Sequence, residues 1–145
     1  MTTIRLLATA IMSAGFGFFG LAKIARLSAV TGSDSWPRLA EPVWAAIGTA
    51  EVVAVAALLL ALHPRFRTVG LAAASGLAVL ALCAVVFHVN HGDPVGDIAP
   101  AIAQGGVAAL YVAVGLRARR RSGDTIAADA ATAEEPARPV LAAAR

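Results

Sequence analysis

Four apolar runs separated by short polar stretches order this chain, at about residues 4–27, 42–62, 68–89 and 98–116. Each is close to the roughly 20 residues that a helix needs to cross a 30 Å hydrocarbon core. The apolarity is continuous rather than alternating with period two, which excludes the strands of a transmembrane barrel. Only helices or closed barrels satisfy their backbone hydrogen bonds in lipid. The second run opens on Glu41-Pro42-Val43-Trp44 and stops at His63-Pro64; a proline in the first turn costs little, because its missing N–H would have had no helical partner. Small residues recur in the runs, among them Gly48, Ala73, Ser75, Gly76, Gly105 and Gly106, as close packing of helices in lipid requires. The pattern predicts an all-α fold, an integral membrane antiparallel four-helix bundle over residues 1–116.

Composition strengthens this reading. Of 145 residues, 59% are apolar and 14% charged, against about 25% charged in an ordinary soluble domain. A core this small cannot hide that excess, so lipid is the expected solvent. Lys23 is the only lysine, and the net charge of +3 comes mainly from arginines gathered at segment ends, where they meet anionic head groups. No basic patch with interleaved aromatics points to nucleic acid. A single cysteine, Cys83, excludes an intrachain disulfide or a dithiol redox pair; five residues from His88, it reads as a packing residue on another face.

Four spans put the N-terminus, the second connection and the tail on one side. That side carries Arg5, Arg65, Arg67, Arg117, Arg119, Arg120 and Arg121, against Lys23, Arg26 and Arg38 on the other. The excess predicts both termini on the cytoplasmic side of a membrane that the chain crosses four times. Trp36 and Trp44 fall at the outer interface, where tryptophan anchors. The first run could also be read as a cleaved signal peptide, but it lacks a small-x-small site and continues too far. Residues 117–145 read as a basic cluster followed by a disordered cytoplasmic tail, with room for a short amphipathic turn around Thr125 to Ala133.

The chemistry gathers at one depth. Glu51 is the only acidic residue inside an apolar run, and a carboxylate there is unfavourable by about 2.5 kcal/mol or more unless neutral, paired or facing a wet cavity. With a rise of about 1.5 Å per residue, Lys23, Glu51, His88 and Gln104 fall in the same, outer half of the membrane, one on each span. They are the candidate pocket residues, with Lys23–Glu51 the expected primary pair and His88 adjusting it. Asn90, His91 and Tyr111 are secondary candidates. An unperturbed imidazole has a pKa near neutrality, so His88 is a candidate to exchange a proton at the pocket mouth. His88 and His91, with Asp93 and Asp97 nearby, lack a third defined ligand, so no metal site is expected.

Gly20-Leu21-Ala22-Lys23, Gly48-Thr49-Ala50-Glu51, the arginine-containing second connection and His88 followed by Gly92-Asp93-Pro94 resemble the DoxX-like family over about Leu6 to Leu116. The resemblance implies a small four-helix bacterial membrane protein. Some relatives are associated with quinone-linked thiosulfate oxidation or with membrane oxidoreductase complexes that handle oxidative stress. Two functions are therefore expected to compete. One is the membrane subunit of a quinone-linked oxidoreductase, with quinone as cofactor and a soluble redox partner. The other is a non-catalytic accessory or small-ligand-binding protein with a structural Lys–Glu pair, free to form homo-oligomers in the bilayer. The chain carries no haem attachment motif, dithiol or flavin fingerprint of its own.

Overall fold

The computed structural model describes residues 3–27 and 39–133, with the side chains of residues 122, 123 and 126–133 left aside. Among these residues the chain forms four long helices and no strand: α1 (Thr3–Ile24), α2 (Glu41–Leu60), α3 (Arg67–His91) and α4 (Val95–Ala133). A single 3-10 turn, Pro64–Phe66, joins α2 to α3. All four helices contain stretches long and apolar enough to cross a membrane. The described residues fall into two compact units, one up to Val114 and one from Gly115.

Large aliphatic side chains point away from the bundle as well as into it. Val53 and Leu82 are each 62% exposed, and Leu7, Leu21, Val79 and Ile102 are exposed too. Water would not tolerate so wide an apolar surface; lipid does. The interior is correspondingly thin. Its larger members are Met12, Phe16, Leu58, Leu71, Leu77 and Tyr111, and alanines 8, 74, 81 and 108 fill the remainder. Alanine dominates because helices in lipid gain from close backbone approach rather than from hiding bulk.

The tightest approach is between α1 and α2. A Cβ added to Gly20 would lie 2.9 Å from the carbonyl oxygen of Gly48, and one added to Gly48 would lie 2.6 Å from that of Gly20. Two hydrogen side chains thus let the backbones touch at the depth where Lys23 and Glu51 face one another.

Helix ends differ from the sequence expectation by a few residues, each for a local reason. The first helix stops at Ile24 rather than Leu27, because Arg26 takes a left-handed φ of 55° and the Leu27 N–H turns back to the Ala22 carbonyl at 3.0 Å. Such a cap closes the orphan carbonyls of the last turn. The third helix runs past Val89 to His91 and ends on Gly92, with φ 70°, where the lack of a side chain removes the usual penalty. The fourth helix begins at Val95 and, in the second unit, is helical as far as Ala133. The tail was expected to lack structure from Ser122; its alanine-rich run is a good helix former and propagates a helix already nucleated, which needs no new initiation. Trp36, Arg38 and the tail beyond Ala133 lie outside the described residues.

Candidate functional site

Lys23 sits in the last turn of α1, and the cap at Arg26 holds it at the end of the span. Its ammonium Nζ is ion-paired with Glu51 Oε1. The side chains of the pair are only 11% and 5% exposed, so neither charge is solvated and each is the other's main compensation. Glu51 Oε2 is buried and accepts no hydrogen bond.

His88 is oriented by the turn that follows it. At Gly92 the left-handed cap brings the Asp93 N–H onto the His88 carbonyl at 3.1 Å. The same reversal carries the Asp93 carboxylate to His88 Nδ1, at 2.7 Å. A carboxylate accepts, so Nδ1 carries the proton in this contact, and the neutral tautomer with that arrangement leaves Nε2 as an acceptor. Gln104, on α4, lies against Gly15 of α1, where a Cβ would overlap its amide; its Oε1 is buried and unpartnered.

These four side chains line one cavity of about 260 Å³. Its apolar walls include Phe16 and Phe19 from α1, Trp44 and Ile47 from α2, and Phe87 from α3. Cys83, Asp97 and Pro100 also line it and are exposed, so the cavity opens between α3 and α4. Its walls are mainly apolar and aromatic, and among its polar groups two buried acceptors, Glu51 Oε2 and Gln104 Oε1, have no hydrogen-bond partner.

Several sequence expectations need correcting. His88 is paired with Asp93 and does not adjust the Lys23–Glu51 pair by direct contact. Asn90 and His91 are exposed on the last turn of α3 and line no part of the cavity; the His91 ring is bonded to its own helix at the Phe87 carbonyl, 2.7 Å away. Tyr111 is fully buried in the inner half, where its position along α4 puts it, and lines no part of the cavity; its hydroxyl accepts from Arg5 Nη2 at 3.1 Å. Cys83 lines the cavity beside Phe87, because a cavity this wide takes in more than one stripe of α3. Sequence reasoning missed the walls at Phe16 and Phe19, although their spacing with Lys23 (i, i+3, i+7) puts all three on one helix face. It also missed Asp93 as the partner of His88. No group of three or more His, Cys, Asp or Glu side chains that could hold a metal is found among the described residues.

The family model of the DoxX-like family matches residues 7–114. The chain belongs to the DoxX-like family. Every element of the cavity falls within that match, which makes it a feature of the DoxX-like portion of the chain rather than of its tail. Neither the search of curated proteins nor that of solved structures returned a match.

Proposed function

We propose that this DoxX-like protein binds a lipophilic molecule with a hydroxyl-bearing head group, and that a quinol is the class that fits best. The observation that carries this reading is the pair of buried, unpartnered acceptors in the cavity, Glu51 Oε2 and Gln104 Oε1. Buried acceptors left without donors are costly, and two hydroxyls would satisfy them while the ring packs on Phe16, Phe19 and Phe87. Ligand cavities commonly run from about 300 Å³ upward, so a space of about 260 Å³ suits a head group whose tail leaves through the opening between α3 and α4. Asp93 holds His88 in the tautomer that can take a proton from a bound hydroxyl. On this reading the protein is the membrane subunit of a quinone-linked oxidoreductase. The two electrons that interconvert quinone and quinol are exchanged with a soluble redox partner, and the two protons with His88 and the adjoining aqueous phase.

The test is extraction and mass spectrometry of molecules that copurify with the protein in mild detergent. A quinone or quinol at about one per chain, reduced at least tenfold in both Glu51→Gln and His88→Ala, is expected; a tenfold loss corresponds to about 1.4 kcal/mol, the scale of one hydrogen bond. A well-folded protein that carries no such molecule would remove the reading.

A second reading, a non-catalytic accessory protein, is favoured by where the ion pair lies. A Cβ on Gly48 would come 2.9 Å from Lys23 Cβ, and one on Gly20 3.0 Å from Glu51 Cβ. A pair that only fixes helix register would sit at such a crossing.

We also place both termini in the cytoplasm of a bacterial inner membrane, on the arginine asymmetry. Alkaline phosphatase fused after Arg145 is then expected to be inactive, and active when inserted in the connection at residues 92–94. The reverse pattern would invert the bundle.

A further inference from the structure

Arg5 has the sequence profile of an interfacial orientation signal, yet it is only 8% exposed. Its guanidinium lies over the Tyr111 ring, 5.3 Å from the centroid, and Nη2 donates to the Tyr111 hydroxyl. Nε is buried without a partner. One turn along α1, on the same face, Thr9 is 2% exposed and its hydroxyl is also unpartnered. The tyrosine oxygen accepts from Arg5, which leaves its own proton to donate. The group is thus richer in donors than in acceptors.

Its charge is not balanced from within. Among the described residues of the first unit the acidic side chains are Glu41, Glu51, Asp93 and Asp97. Glu41 pairs with Arg26, Glu51 with Lys23 and Asp93 with His88, and Asp97 lines the cavity. Glu41, Asp93 and Asp97 belong to the opposite ends of the spans, and Glu51, at mid-span, is already paired with Lys23. A buried guanidinium without a counter-charge is costly, and its fork of N–H donors matches an oxyanion bidentately.

We propose that Arg5, Thr9 and Tyr111 form a binding site for a phosphate-class oxyanion at the end of the bundle remote from the cavity. The anion is either the phosphodiester of an anionic lipid or free phosphate; the donors present recognise the same chemistry in both. The proposal is independent of what fills the cavity.

The full chain, purified in mild detergent, provides the test. Lipids retained by the protein are identified by mass spectrometry. Thermal stability of delipidated protein is then measured with inorganic phosphate, and in nanodiscs of phosphatidylglycerol or of phosphatidylcholine. Phosphatidylglycerol enriched at least about fivefold over its share of the membrane, with a Tm raised in phosphatidylglycerol but not phosphatidylcholine nanodiscs, assigns the site to a lipid; charge-assisted contacts to a phosphate are strong enough for that ratio. A Tm raised by millimolar phosphate alone assigns it to the free anion. Retained lipids that mirror the membrane, with no response to either probe, overturn the proposal. Arg5→Gln is expected to abolish the response. Should that variant not accumulate, Arg5→Lys keeps the charge but not the fork and is expected to weaken the response about threefold or more. A response unchanged in whichever of these variants accumulates would overturn the assignment to Arg5.

Discussion

Lys23→Met is expected to lower the stability of the purified protein by about 3–5 kcal/mol, the loss that follows when one member of a buried ion pair is removed and its partner stays behind uncompensated. The reason is local. Glu51 makes its one hydrogen bond to Lys23 through Oε1, while Oε2 has no partner, so the substitution leaves a carboxylate with neither oxygen satisfied. Glu51→Gln is expected to cost less, since an amide oxygen still accepts from the ammonium. The double variant Lys23→Met/Glu51→Met replaces both charges by apolar groups of similar length, and recovery to within about 1 kcal/mol of the parent, or beyond it, is expected. Denaturant or thermal unfolding in one detergent, read for all four proteins, measures this. If Lys23→Met unfolds with the parent, the pair is not what makes Glu51 tolerable. The double variant also separates the two functional readings. A protein that is stable but has lost its copurifying quinol assigns the pair to ligand binding. One that is stable and was never loaded leaves the pair a register device.

Much of this architecture could be read in the chain because lipid is an unforgiving solvent. A span must be continuously apolar, so the four helices announce themselves, and a lone carboxylate within one demands a partner at its own depth. Counting residues at a fixed rise therefore brings Lys23, Glu51, His88 and Gln104 to one level, and in the structure they line one cavity. Depth says less about direction around each helix. Cys83 was assigned to another face of α3 from His88 by angle, but the cavity spans both positions. The partner of His88 was hidden for a different reason. Asp93 reaches it only because Gly92 adopts φ 70° and reverses the chain, and a turn of that kind depends on cap geometry rather than on periodicity. Arg5 was hardest to read. A charge three residues into a helix normally extends to the interface, and only packing against Tyr111 across 106 positions of sequence reveals that this one does not.

The crossing of α1 and α2 carries the second large effect. Gly48→Ala inserts a methyl group 2.6 Å from the Gly20 carbonyl oxygen and 2.9 Å from Lys23 Cβ. The first obstacle is helix backbone, which cannot step aside as the end of a flexible side chain would, so the two helices must separate. Overpacking of this kind costs about 1–3 kcal/mol, and Gly48→Leu is expected to prevent assembly of the bundle. Gly20→Ala, facing the Gly48 carbonyl oxygen at 2.9 Å, should behave like Gly48→Ala. Gly17 and Gly76 supply the control, because a Cβ at either meets nothing within 4 Å; there alanine is neutral or stabilising by up to about 1 kcal/mol through helix propensity. Equal unfolding midpoints for Gly48→Ala and Gly17→Ala would show that the crossing is looser than its geometry implies. The separation has a chemical consequence as well. Lys23 and Glu51 flank the same crossing, one on each helix, so spreading the backbones lengthens their ion pair and distorts the cavity wall. If the cavity holds a quinol as proposed, Gly48→Ala is therefore expected to reduce its occupancy while every polar group of the cavity remains in place. That loss would tie the packing of two glycines directly to the chemistry beside them.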